Sequence, residues 1–170
     1  QDLFSLNENN RLVIYIHNLG YEFQFMRKYF NWVNVFSASE RKPIKALTDL
    51  GIEFKDSYIL SGYSLANTAK NLSHHTIKKL TGELDYSLIR THETPLTENE
   101  IAYCINDIQI ILAYINEQIT ICGDISQIPN TNTGRVRKFV RDNCFYKLPN
   151  GEKGGYRQYA KYHKVMQDLT

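Results

Sequence analysis

Residues 11–25 read Arg11-Leu12-Val13-Ile14-Tyr15-Ile16-His17-Asn18-Leu19-Gly20-Tyr21-Glu22-Phe23-Gln24-Phe25. The continuous β-branched and aromatic run at 11–17 predicts a strand buried on both faces. Gly20 supplies a turn, and residues 21–32 predict a helix. Phe23, Met26 and Phe30 recur there at helical spacing, with Arg27 and Lys28 on the opposite face. The strand thus ends in His-Asn, and the helix opens on an aromatic-acid pair. Glu22 lies in its first turn, where the amide dipoles favour an anion.

Working outward, short strand candidates occupy residues 33–36, 44–47 and 52–60, separated by polar or glycine breaks. Residues 64–72 predict a short helix and 77–80 another. Thr97-Glu98-Asn99-Glu100 is a capping-box pattern and predicts a long helix from Thr97 to about residue 120. Ile101, Cys104, Ile105, Ile108, Ile111, Leu112 and Ile115 form one broad stripe on it, so the helix is expected to pack firmly against a sheet. A polar, Gly- and Pro-containing loop fills 123–132. Basic helices are expected at 135–144 and 156–169, joined by a Pro-Asn-Gly turn at 149–151. Strand, helix, strands, then helices describe a mixed α/β layer structure.

The 170 residues suit one domain with a real core, and 42% hydrophobic with 22% charged residues is an ordinary globular balance. No apolar run reaches the roughly 18–20 residues of a membrane span. Three scattered cysteines without a Cys-x-x-Cys pair argue against a zinc site or a disulfide framework and suit a reducing cytoplasm. The net charge of +2 hides an asymmetry: residues 135–170 carry nine Lys+Arg against three acids, a balance of +6, and the rest balances at −4. A basic end beside an acidic body suits a polyanion partner; the plainer reading is a pair of solvated helices.

Tyr103-Cys104-Ile105-Asn106-Asp107 sets a tyrosine and an aspartate one helical turn apart. Tyr103, Asp107 and Tyr114 project within a narrow arc beside the apolar stripe. A carboxylate flanking a buried face needs a partner, and a divalent cation is one such partner. The plainer reading of Asp107 is an aspartate at the rim of a solvated face.

Residues 15–25 and 103–107 together resemble the second and third exonuclease motifs of the 3′→5′ exonuclease domain of protein-primed family B DNA polymerases from phages and plasmids. The resemblance covers roughly residues 11–140. It implies an α/β, RNase H-like exonuclease fold, a mixed sheet flanked by helices. The activity it implies is metal-dependent hydrolysis of the 3′-terminal phosphodiester of single-stranded DNA, the proofreading part of a polymerase in DNA replication. Glu22, Tyr103 and Asp107 would be its catalytic residues, with Asp107 and Glu22 meeting Mg2+ or Mn2+ and Tyr103 orienting a metal-held water. Glu22 stands where the family usually has aspartate; it keeps the charge on a longer side chain. His17, Asn18, Tyr21 and Phe25 match positions that hold the 3′-terminal nucleotides, and aromatic faces stack on bases without reading sequence. Tyr63-Ser64-Leu65 resembles an Asp-Ser-Leu segment whose Ser and Leu, here Ser64 and Leu65, also contact the strand. Gly82-Glu83-Leu84-Asp85-Tyr86 resembles a stretch whose tyrosine, here Tyr86, touches DNA. The family's catalytic lysine precedes that glycine; Thr81 stands there, with Lys78 and Lys79 nearby.

The family's first motif, Asp-x-Glu, does not occur in residues 1–10, and no Asp-x-x-Ser-Leu-Tyr-Pro motif follows. The expectation is an N-terminally incomplete exonuclease-like domain at 1–122, a linker at 123–134 and a basic helical connector at 135–170 leading toward a polymerase palm. The implied partners are a single-stranded DNA 3′ end, a polymerase domain and a terminal protein, in the cytoplasm of a bacterial host. With few carboxylates present, the expectation for this chain alone is one weakly held cation and no appreciable nuclease activity. The competing readings are a non-catalytic single-stranded DNA-binding module and an unrelated α/β protein.

Overall fold

A computed structural model describes residues 4–7, 9–80, 89, 91 and 93–145. The chain divides into two units, residues 1–130 and 131–170. In the first, strand β1 (Leu12–Ile16) leads into helix α1 (Leu19–Met26), followed by strands β2 (Trp32–Ser39), β3 (Lys42–Thr48) and β4 (Ile52–Asp56). Short helices α2 (Ser57–Ser61) and α3 (Leu65–Lys70) precede the long helix α4 (Glu98–Cys122). The second unit opens with α5 (Asn132–Val140), whose N-cap Thr131 accepts from the Gly134 amide at 2.9 Å. The residues of the second predicted basic helix, and Tyr86, lie outside the described residues.

The sheet is mixed, in the order β1-β4-β3-β2, with β1 and β4 parallel and the other pairs antiparallel. With helices beside it, this is the α/β architecture expected. The position of β1 corrects one expectation, however. Among the described residues β1 pairs with β4 alone and forms the sheet edge, so its apolar residues are half-buried instead of enclosed on both faces. A run of Leu, Val, Ile and Tyr records a preference for strand; it does not supply a second neighbour.

Side chains alternate across a strand, so Val13 and Tyr15 share a face with their partners Glu53 and Lys55, and with Lys45 and Leu47 on β3. Ile14, Phe54 and Ala46 share the other face, where aromatic packing dominates. Phe23, Phe30 and Phe54 surround Trp32, with its ring centroids 4.8–5.8 Å from theirs. This cluster also explains why α1 stops at Met26: Trp32 belongs to β2, and its indole N–H donates to the Arg27 carbonyl at 2.9 Å. On the α4 side Leu60, Ile115 and Ile128 form a buried cluster joined by Tyr15, Ile111 and Tyr114.

Three further local expectations change. The left-handed turn residue after β1 is Asn18 (φ 70°), not Gly20; a Cβ on Gly20, inside α1, would come within 3.3 Å of the Arg41 carbonyl oxygen. The 52–60 strand stops at Asp56, because the Asp56 carboxylate accepts the Tyr58 and Ile59 amides and starts α2. Residues 77–80 form no helix or strand. The capping box at Thr97 forms as expected. The stripe on α4 does not pack as expected: Ile115 is buried and Ile111 half-buried, while Ile101, Cys104, Ile105, Ile108 and Leu112 are exposed, and the buried face of the helix runs through Ile110, Ala113, Ile115, Glu117 and Gln118 instead. Among the described residues no helix is long and apolar enough to cross a membrane.

Candidate functional site

The parallel pair β1 and β4 ends in two polar dipeptides, His17-Asn18 and Asp56-Ser57. His17 Nδ1 lies 3.2 Å from Ser57 Oγ, and its ring meets Tyr58 edge-on at 5.5 Å. Its Nε2 is buried with no partner among the described residues. Burial pushes the imidazole below its ordinary range, opposed by the charges of Asp56 and Asp107.

Asp56 is almost fully buried and accepts the Leu19 amide at 2.9 Å in addition to its α2 cap bonds. One side chain therefore fixes the end of β4 against the start of α1. Burial pushes its carboxyl up despite those three amides.

Asp107 and Tyr103 meet on one cation. Lys79 Nζ lies 2.5 Å from Asp107 Oδ1 and 3.9 Å from the Tyr103 ring centroid. Against partial burial, Asp107 and Tyr103 hold the ammonium above its ordinary range. Asn106, beside Asp107, clamps the segment that delivers this lysine: its side-chain amide donates to the Lys78 carbonyl at 3.1 Å and accepts from the Leu80 amide at 2.9 Å. Further along α4, buried Glu117 accepts the Ser73 and His74 amides and lies 3.3 Å from His75 Nδ1. Both ends of residues 73–80 are thus tied to the helix that carries Asp107.

Tyr21 and Phe25 stand one turn apart on α1, 61% and 57% exposed, with ring centroids 5.2 Å apart. Large exposed aromatics contribute little to a core, which leaves them available as a stacking surface. The Asn18 side chain makes no capping bond, and Glu22 is exposed in the first turn of α1. Ser64 caps α3, accepting from the Asn67 amide at 3.4 Å, and Leu65 is half-buried there. The serine brought to His17 is Ser57.

Sequence reasoning did not single out Asp56, Ser57, Asn106 or Glu117, and it left Lys79 without a role. Asp-Ser ahead of Tyr-Ile-Leu is a helix N-cap signal that could have found the first pair. The others depend on contacts across 26 to 44 residues. Among the described residues no three His, Cys, Asp or Glu side chains lie together as a metal site. Asp107 faces the Lys79 ammonium.

The geometry defines a class: an α/β domain with a polar site at the C-terminal edge of a parallel strand pair, flanked by exposed aromatics. No protein-family model and no curated protein matches the chain. Among solved structures it is similar to phi29 DNA polymerase complexed with single-stranded DNA, with TM-score 0.59 and 19% identity over 86% of this chain and 29% of that one. It is likewise similar to phi29 DNA polymerase complexed with primer-template DNA, with TM-score 0.59 and 20% identity over 83% and 28%. The chain therefore spans less than a third of those polymerases. At this identity the likeness is one of fold.

Proposed function

We propose that this chain is part of a DNA-directed DNA polymerase acting in DNA replication, and that it corresponds to the 3′→5′ exonuclease region, which holds a single-stranded 3′ end. The observation that supports this reading is that Asp107 and Tyr103, one helical turn apart on α4, share Lys79, in a domain whose fold is similar to part of a DNA polymerase. Tyr21 and Phe25 would stack on terminal bases, while Asn18 and His17 bond the phosphate or sugar. Lys79 would set its charge beside the terminal phosphate, taking the part that the resemblance assigns to a lysine before Gly82.

Hydrolysis in this class draws on divalent cations, which activate water and stabilise the leaving oxygen. Asp107 and Glu22 are the acids of this chain that would face them. The described residues do not complete such a site, so no hydrolytic step is derived from them, and the chain alone acts as a binder. The reading of a single-stranded DNA-binding module without catalysis draws on the same fact, that Lys79 occupies Asp107.

The test uses a 5′-labelled single strand with the 170-residue chain and Mn2+ at low salt. Retention of the strand without shortening is expected. Tyr21→Ala and Phe25→Ala should each weaken binding by about 5- to 100-fold, since stacking is worth about 1–3 kcal/mol per base. Binding unchanged in both variants would remove the assignment of this surface. Robust shortening from the 3′ end would show that the chain holds its metals unaided.

A further inference from the structure

A second polar site is built on the sheet face that carries Val13, Lys45, Glu53 and Lys55. A cavity of about 650 Å3 is lined by Arg11, Lys45, Glu53, Lys55, Ser126 and Asn130, among others. Lys55 precedes Asp56, but successive side chains of a strand point to opposite faces, and none of His17, Asp56, Ser57, Lys79 or Asp107 lines the cavity. The cavity is therefore no extension of the Asp107 site.

Among the described residues its lining sets Arg11, Lys45 and Lys55 against one carboxylate, Glu53. Lys45 and Lys55 are direct cross-strand partners in the β3–β4 register, and like charges opposite one another destabilise a sheet. Among the described residues Glu53 is the one carboxylate within ion-pair distance of either lysine, and it is shared three ways. It lies 2.6 Å from Arg11 Nη1, 3.2 Å from Lys55 Nζ and 3.9 Å from Lys45 Nζ. The Lys55 side chain is only 8% exposed, so bulk water hydrates little of its charge. Glu53 is also closest to the arginine, which leaves the lysines the weaker share. A buried cation needs pairing, and Lys55 with the half-buried Lys45 beside it, both lining a polar cavity, suits an anion with several acceptor oxygens. Ser126 and Asn130 add neutral donors on the facing wall.

We propose that this cavity is a phosphate-binding site, with Lys45 and Lys55 as its cationic floor. Its ligand is a phosphoryl group, carried either by a nucleic-acid backbone or by a small phosphorylated molecule. The proposal does not depend on the chain hydrolysing DNA.

The probe is inorganic phosphate, titrated calorimetrically at fixed ionic strength against chloride. Saturable one-to-one binding is expected, weakened at least tenfold by Lys45→Met, which keeps the stem that packs on the sheet. In a second arm the salt dependence of single-stranded DNA binding is compared between wild type and Lys45→Met. A slope lower by about one ion in the variant assigns the phosphate to a nucleic-acid backbone. An unchanged slope with lost phosphate binding assigns it to a small ligand. Should Lys45→Met fold poorly, amide shifts in the wild-type protein give the same answer: phosphate should perturb residues 45, 53–55 and 126–130. No saturable binding, binding indifferent to Lys45→Met, or perturbations confined to other residues would overturn the proposal.

Discussion

Strands β1 and β4 lie side by side, parallel and in register over five residues, yet composition and burial run opposite ways in them. β1 is Leu-Val-Ile-Tyr-Ile and is half-buried to exposed; β4 is Ile-Glu-Phe-Lys-Asp, and four of its five residues are buried. The strand with three charged residues is the enclosed one. Place in the sheet decides this: β4 has a neighbour on each edge, and β1 has one among the described residues. The charges of β4 survive burial because each has a partner. Glu53 is met by Arg11 and Lys55, and Asp56 by three backbone amides. The lesson is that an apolar strand can mark an edge, and a charged one an interior, when the polar groups are satisfied locally.

The largest expected effect comes from breaking that satisfaction. Glu53→Ala would strand the Lys55 ammonium in a nearly closed site, and removing one partner of a buried pair costs about 3–5 kcal/mol. Ile14→Ala, on the half-exposed neighbour, should cost about 1–2 kcal/mol, below the range for enclosed Ile→Ala changes. Denaturation midpoints of the two variants give the ranking directly. A larger loss from Ile14→Ala would mean that β1 is the better enclosed strand, and the contrast drawn above would fall.

The existence of β1, β4 and α4 was legible in the sequence, because apolar runs and a capping box are local signals. Which strand is interior was not, since β1 finds β4 about 40 residues away and nothing within either run names the partner. The same division holds at the site. His17, Asn18 and Asp107 lie in recognisable strings, whereas Lys79 reaches Asp107 from a segment, 73–80, that Asn106 and Glu117 tie to α4. The Asp56-Ser57 pair was hidden by reading 52–60 as one strand, although its capping chemistry stands in the sequence.

An intermediate effect separates two acids three residues apart on β4. Against burial, Arg11, Lys55 and Lys45 hold the Glu53 carboxyl below its ordinary value of 4.5, while burial holds that of Asp56 above 3.8. The signs follow by linkage. Glu53 contributes stability that is present above its unfolded value and lost as pH falls through its folded one. Asp56 costs stability above its folded value, and that cost disappears as pH falls. Each tilts stability by up to about 1.4 kcal/mol per pH unit within its own window. Carboxyl carbon shifts followed through an acid titration should show Glu53 titrating below, and Asp56 above, the ordinary value of its own side-chain type. A Glu53 carboxyl at or above its ordinary value would mean that the three cations do not reach it in solution.

The smallest effect contrasts the buried charges of β4 with the ion pair at the site. Lys79 and Asp107 keep 19% and 27% of their side chains exposed, so water screens them and their mutual attraction does little for the fold. A double-mutant cycle of Lys79→Met and Asp107→Asn should give a coupling below about 1 kcal/mol, well short of the loss expected from Glu53→Ala. What the pair does instead is electrostatic bookkeeping at the sheet edge. With Lys79 gone, the Asp107 carboxylate is no longer neutralised beside His17. The imidazole, which Asp107 already pulls upward against burial, should then titrate at a higher pH. Histidine ring-proton shifts in Lys79→Met would register this while denaturation registers almost nothing. A His17 titration unmoved by Lys79→Met, or a coupling as large as that of Glu53 with its cations, would erase the distinction between a charge buried to hold a sheet and a charge placed to serve its edge.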